Sequence, residues 1–334
     1  LWQTSGHYDF YRQNMYTFRI ENKEFVLKPM NCPGHILIYK SKLRSYRELP
    51  VRLFELGTVY RHEKSGVLHG LLRVRGFTQD DAHIFCSGEQ LKDEIKKVLD
   101  FVFATMKDFG FADAAIELST RPRDSIGSDE DWDKATSALE DSLKEQGLEY
   151  EINSGDGAFY GPKIDIKLKD ALKRKWQCAT IQCDFALPQR FDLKYIDNEG
   201  KEKQPVMLHR VILGSLERFL GALLEHYAAA FPLWLAPVQA MIIPVRKEDE
   251  PYAGQVKERL ILSGLRVELD LSNETLTKRI RNAEVEKHPY IIVVGAKEAK
   301  ENKIALRKRG LGDQGQIGLE EFIGKAKTEI TNKQ

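Results

Sequence analysis

Cysteine is scarce in these 334 residues, and the four present (Cys32, Cys86, Cys178 and Cys183) lack the spacing of a disulfide framework. That argues against a small secreted scaffold and favours a reducing, cytoplasmic setting. Long apolar runs are missing too. Nothing approaches the roughly 18 consecutive apolar residues of a membrane span, and no signal peptide is visible. A charge excess of either sign is also lacking: the formal net charge is +1, so any nucleic-acid contact has to come from local patches and not a global field. What is present is ordinary for a soluble globular protein, with 30% charged and 42% hydrophobic residues. The length allows two domains and a sizeable core. The opening LWQTSGHYDF reads as the interior of a domain, so further chain upstream is expected.

The most informative stretch is Gly57 to Phe85, GTVYRHEKSGVLHGLLRVRGFTQDDAHIF. Its ends read as two strands, with a long polar loop from Glu63 to Gly70 between them. Period-two alternation in the second strand puts Arg73, Arg75, Phe77, Gln79, Asp81 and His83 on one face. Val74, Gly76, Thr78, Ala82 and Ile84 fall on the other, which suits packing against helices. Buried unpaired charge is costly. The first face is therefore either solvated or the polar floor of a site for a charged ligand, joined by Arg61 and Glu63.

Upstream, Glu24 to Lys28 reads as a strand running into PMNCPGH, where Asn31 or Cys32 caps a helix and Pro33 fits its first turn. That helix is expected to carry Ile36, Leu37, Tyr39, Leu43 and Tyr46. Cys32 at its start is either a small buried residue or a dipole-stabilised thiolate, reactive or metal-binding. Downstream, Ser87 with Gln90 forms a capping box for a helix with Leu91, Ile95, Val98, Leu99, Val102, Met106 and Phe109 at core spacing. A second capped helix spans Ser128 to Gln146, with Trp132, Ala135, Leu139 and Leu143 inward. Strands are expected over Gly157 to Leu168, Lys175 to Leu187 and Pro205 to Leu213. The last runs through Gly214-Ser215 into a helix whose first turn holds Arg218.

Near Pro232 to Pro237 the pattern changes to strand, helix, strand, helix, strand. The fold class is thus α/β: an α+β domain with an antiparallel sheet flanked by helices (residues 1–236), then a smaller α/β domain with a mainly parallel sheet (237–334). Lys303, Arg307, Lys308 and Arg309 form a basic run with no acid nearby in sequence. It is either a solvated hairpin or a phosphate-contacting patch.

RHE at Arg61 to Glu63, followed by RVRGFTQDDAHIF, resembles the second signature motif of class II aminoacyl-tRNA synthetases, and GSLER at Gly214 to Arg218 resembles the third. MNCPGH, DDAH, AFYGPK, WQCATIQ and the His-bearing strand before GSLER are similar to the threonyl branch of that family. The resemblance covers essentially the whole chain, including an anticodon-binding C-terminal domain. Missing from it are the first signature motif, which builds the dimer interface and is only fringed here, and an upstream editing domain.

That resemblance implies a ligase which activates threonine with ATP and transfers it to the 3′-end of tRNA(Thr), as a homodimer with no membrane association. It implies that Arg61 meets the α-phosphate and the amino-acid carboxylate, that Arg73 reaches toward the γ-phosphate, and that Phe77 and Arg218 sandwich adenine while Glu63 orients its amino group. Gln177 and Thr180 would line the ATP floor, with Mg²⁺ on the phosphates. Gln177 has the wrong strand parity for this, so either a local bulge or a side contact is needed. Gln79 joins Arg61 and Arg218 in the catalytic set, and Met30, Asp81, Tyr160, Lys163 and Gln182 would line the substrate pocket. The resemblance further implies one zinc held by Cys32, His83 and His209, taking the amino and hydroxyl groups of threonine while Asp81 accepts the hydroxyl proton. Anticodon contacts fall on Asn273, Arg281, Glu298 and Arg307. Two other readings compete. A class II synthetase for proline or serine would not need the Cys/His/His set, and a non-catalytic tRNA-binding or regulatory relative would not need Arg61 and Arg218.

Overall fold

A computed structural model describes residues 1–111, 114–169 and 175–333. The chain divides into two compact units, Leu1–Glu225 and His226–Gln334. Leu233 is buried in the core of the second unit with Ile242, Ile292 and Phe322, so residues 226–236 belong with that unit and not, as the sequence boundary at 236/237 implied, with the first. Among the described residues no helix is long and apolar enough to cross a membrane.

The first unit is built on a seven-stranded sheet in the order Val51–Tyr60, Gly76–Cys86, Val206–Val211, Lys175–Asp184, Lys163–Lys169, Ala114–Ser119, Glu151–Asn153. Every pairing is antiparallel except the last. One face carries the helices Leu91–Asp108 and Asp129–Glu145. Their apolar stripes are buried as the spacing predicts, except that Phe109 lies just past the first helix and is half-buried, and Ser128 caps the second through the Asp131 N–H at 3.2 Å. The Ser87–Gln90 capping box is formed in both directions, at 3.1 and 3.3 Å. Against the other face lies the helix Cys32–Lys40, whose Ile36 and Tyr39 pack with Leu49, Phe85, Leu187 and Met207.

Several expected bounds are wrong for physical reasons. The helix from Cys32 stops at Lys40, so Leu43 (67% exposed) and Tyr46 lie beyond it, and Leu37 faces solvent. Arg73 and Arg75 precede the strand Gly76–Cys86: Arg75 still pairs its carbonyl with the Arg61 N–H, but Arg73 forms an isolated bridge with His69. The strands predicted from Gly157 and to Leu187 are shorter. Residues 157–162 form a tight turn, and Ala186–Arg190 is helical.

At that turn Gly161 is squeezed against the neighbouring strand, where a Cβ would stand 1.9 Å from the Cys183 carbonyl oxygen. Backbone cannot yield as a side chain can. Gly161→Ala is therefore expected to destabilise the first unit by about 2 kcal/mol and lower its melting by roughly 4–8 °C, readable by thermal denaturation.

The second unit has a five-stranded sheet ordered Val267–Leu269, Ala240–Pro244, Tyr290–Val294, Lys303–Lys308, Gly312–Gly318. The first three strands are parallel, as expected, and the last two add antiparallel. The basic run therefore sits on a sheet strand, and folding brings acids to it. Lys308 meets Glu329 at 3.0 Å, Arg307 meets Glu284 at 3.4 Å, and Arg309 donates to the Phe231 carbonyl at 2.6 Å. The run is not an unpartnered phosphate patch.

Candidate active site and metal centre

A cavity of about 620 Å³ opens over the polar face of the sheet. Fifteen positions singled out from the sequence line it: Met30, Cys32, Arg61, Glu63, Arg73, Phe77, Gln79, Asp81, His83, Tyr160, Gln177, Thr180, Gln182, His209 and Arg218. Lys163 does not. Its ammonium turns to Asp165 at 2.7 Å and Asp156 at 3.4 Å.

Register explains the convergence. His83 and His209 are direct cross-strand partners, and His209 in turn faces Gln182; such pairs hold their Cβ atoms about 5 Å apart. Cys32 enters from the first turn of its helix. The three ligand atoms lie within 4.8 Å of one another, all buried. His83 is held neutral, its pKa driven well down by burial and then by His209. The dipole argument for a Cys32 thiolate is overridden, because burial first, then the Asp81 and Asp184 carboxylates, push its pKa well up. Thiolate here needs a cation beside it. One sulfur and two imidazoles suit zinc, and three protein donors leave a position for substrate.

Beside them Asp81 is raised to about 6 by burial, opposed by a 3.0 Å bond from Asn31. The Asn31 side chain does not cap its helix but bridges to Asp81 instead, its Oδ1 having no partner. Tyr160 donates to Gln182 at 2.7 Å and lies 4.9 Å from the His209 ring. Met30 places its sulfur 2.9 Å from Nε2 of His7, which burial lowers to about 3.

The other end of the cavity is cationic and aromatic. The Arg61 guanidinium lies 5.1 Å over Phe77 and donates to the Pro29 carbonyl at 3.1 Å. Glu63 and Arg73 pair with each other at 2.9 Å. Arg218 donates to the carbonyls of Leu72 and Gln177, at 2.9 and 3.1 Å. Its helix starts after Gly214, whose φ of +80° and approach to the Cys178 carbonyl leave no room for a side chain. A bulge beside Gln177 is present: pairing shifts between Ile166 and Lys167, skipping Cys178. Gln177 then donates to Asp165 at 2.6 Å and to Thr180 at 2.8 Å.

Sequence reading gave no role to four buried groups that hold these side chains, although alternation put Asp184 on one strand face with Thr180 and Gln182. Asp165 anchors Lys163, Gln177 and Thr180. Asp184 takes His209 at 2.8 Å. Asp80 accepts the Ile212 and Leu213 N–H groups at 2.8 and 3.0 Å, fixing the turn into Gly214. His35 meets His83 at 2.7 Å. His35 lies one helical turn after Cys32, and Asp80 opens the DDAH motif, but neither position announced its partner.

In the second unit Asn273 and Arg281 are exposed. Glu298 is half-buried and bonds the Gly295 N–H at 3.0 Å and the Gln316 amide. Arg307 is half-buried with weak ion pairs to Glu284 and Asp313, at 3.4 and 3.8 Å.

Residues 16–227 match the tRNA synthetase class II core domain (G, H, P, S and T), and residues 239–329 match an anticodon binding domain. Threonine–tRNA ligase of Clostridium tetani is 56% identical over 100% of this chain and 52% of its own length. That of Syntrophotalea carbinolica is 61% identical over 92% and 48%. The chain thus spans about half the length of the curated relatives it matches. Among solved structures, the RNA binding domain of threonyl-tRNA synthetase from Cryptosporidium parvum superposes with a TM-score of 0.94 at 45% identity, covering 98% of this chain and 82% of that one. A putative threonyl-tRNA synthetase from Aeropyrum pernix gives 0.83 at 33% identity, covering 99% and 81%.

Proposed function

The chain belongs to the class II tRNA synthetases, in their threonyl branch, and from that premise we propose that it activates threonine with ATP and transfers it to tRNA(Thr). The observation that carries this reading is a single cavity with Cys32, His83 and His209 gathered at one end and Arg61, Phe77 and Arg218 at the other.

Activation is an in-line attack of the threonine carboxylate on the α-phosphate, forming threonyl-adenylate and releasing pyrophosphate. Negative charge builds as the P–O bond breaks, so positioned cations supply much of the rate. Arg61 takes the α-phosphate and the carboxylate. Arg73 exchanges its bond to Glu63 for the γ-phosphate, which releases Glu63 to orient the adenine amino group. Phe77 and Arg218 hold the ring between them, Gln177 and Thr180 support the nucleotide from below, and Gln79 joins Arg61 near the reacting carboxylate. Mg²⁺ accompanies the ATP phosphates. Zinc held by Cys32, His83 and His209 supplies, when bound, a Lewis-acidic point for the amino and hydroxyl groups of threonine. Asp81 accepts the hydroxyl proton in a hydrogen bond, with Met30, Tyr160 and Gln182 closing the pocket and Lys163 beside Gln182 on the neighbouring strand. Threonyl transfer to the tRNA 3′-end then releases AMP.

Asn273, Arg281, Glu298 and Arg307 are proposed to read anticodon bases. The long Arg307 ion pairs are weak enough to be replaced by nucleic-acid contacts. A homodimer is supported by the edge strand Val51–Tyr60, which exposes Phe54 and Leu56, each 58%, beside unpaired backbone.

ATP–pyrophosphate exchange tests the reading. Threonine should drive it, and serine, which keeps the hydroxyl, should drive it too. Valine, isosteric but without the oxygen, should be slower by about 10⁴-fold. Exchange with proline and not threonine would overturn the assignment.

A further inference from the structure

The two site histidines have their outward ring nitrogens secured differently. His209 turns Nε2 to the buried carboxylate of Asp184 at 2.8 Å, and that carboxylate also takes the Leu187 N–H at 2.9 Å. His83 has no carboxylate behind it. Its Nδ1 lies 2.7 Å from Nδ1 of His35, also buried, with the two rings 4.8 Å apart and edge-on at 78°. Two such nitrogens share one proton, so one donates and the other accepts. On the far side of His35, Nε2 is 3.3 Å from Oε1 of Glu55, which Lys28 flanks at 3.6 Å. The negative charge of that carboxylate favours a proton on the nearer ring nitrogen, Nε2 of His35, and Nδ1 is then left as a lone pair. The shared proton then belongs to Nδ1 of His83. Its Nε2, 3.6 Å from Asp81 Oδ1, becomes the lone pair on the cavity side.

We infer that Glu55 and His35 act as a positioning relay that fixes His83 in its Nδ1–H tautomer, so that Nε2 can ligate the ion shared with Cys32 and His209. This rests on the metal reading proposed above. The indirect arrangement has a physical reason. Asp81 and Asp184 already place two carboxylates around the centre, and a third directly behind His83 would add another buried charge. Glu55 is 35% exposed, so the anion that orients the relay stays near solvent while neutral His35 carries the orientation inward. Cys32 and His35 also share one helical turn, so a single element supplies one ligand and the support of another. Partners of this kind fix ligand tautomer and ring angle, and losing them costs about 10–100-fold in metal affinity.

The test uses the zinc-loaded full chain. Zinc affinity is measured by competition with a chromogenic chelator, and ring tautomers by ¹⁵N NMR. His35→Leu removes the acceptor at similar volume and is expected to weaken zinc about 10–100-fold. His35→Gln, which can still offer an oxygen to Nδ1–H, should recover most of that loss, and Glu55→Gln should cost only a few-fold. In the unsubstituted protein His83 should carry its proton on Nδ1 and His35 on Nε2. Equal affinity in wild type and His35→Leu, or equal loss in the Leu and Gln variants, would overturn the relay, as would a proton on Nε2 of His83. Should His35→Leu fail to fold, the tautomers of the wild-type protein decide. A wild-type chain that binds no zinc would defeat the metal reading itself, whereas zinc retained by His35→Leu would defeat the relay alone.

Discussion

Arg61→Ala is expected to slow threonine-dependent ATP–pyrophosphate exchange by about 10²–10³-fold, the cost of removing one positioned donor from a site where charge develops. The side chain is well prepared for that role. Its Nε is fixed by the Pro29 carbonyl, and its guanidinium lies 5.1 and 5.8 Å from the rings of Phe77 and Tyr11. A planar group so oriented can meet a phosphate oxygen and a carboxylate together, which an ammonium on a flexible stem cannot. Arg61→Lys should therefore recover little of the rate. Arg61 is only half-buried, so the melting temperature should hardly move. An exchange rate within tenfold of wild type would remove Arg61 from the reacting centre.

Asp165→Ala is expected to damage both stability and activity. Asp165 is 1% exposed and takes Lys163, Gln177, Thr180 and Ser119 at 2.7, 2.6, 2.9 and 3.4 Å. Removing the carboxylate strands a largely buried ammonium and three polar groups, which costs about 3–5 kcal/mol. The outward Asp156, 3.4 Å from Lys163, offsets a part of this. Asp165→Asn keeps the oxygen that Gln177 and Thr180 use, so it should lose less. The two variants separate charge from shape when chemical denaturation is measured beside the Michaelis constant for ATP. A rise in that constant with little loss of stability would mean that Asp165 only aligns the floor.

How much of this was legible in sequence depends on range. Alternation from Phe77 to His83 is local, and it placed one polar face where the cavity now lies. The mismatch in parity at Gln177 required either a bulge or a side contact, and the fold supplies the bulge by skipping Cys178. By contrast, Asp184 behind His209 follows from pairing between strands far apart in the chain, and nothing local announces that register. The same holds for Glu55 opposite Asp81. Asn31 was read as a helix cap because its type and position suit one. Its amide instead serves Asp81, a partner that only the tertiary fold provides. The Lys303 to Arg309 run looked unopposed, yet Glu301 and Asp313 just outside it pair with Lys303 and Arg307 at 2.9 and 3.8 Å, and Glu284 and Glu329 join from helices elsewhere in the second unit. For Cys32 the sequence left a buried thiol and a dipole-stabilised thiolate both open, and burial weighs against the dipole, a small effect beside full desolvation.

The most direct test of the account is the zinc content of the purified chain, read together with threonine-dependent exchange before and after chelation. One zinc per chain is expected, lost on Cys32→Ser, His83→Ala or His209→Ala taken singly, with exchange disappearing when the metal is stripped and returning when zinc is restored. Undiminished exchange in the metal-free protein, or one zinc still bound after all three ligands are replaced, would contradict it.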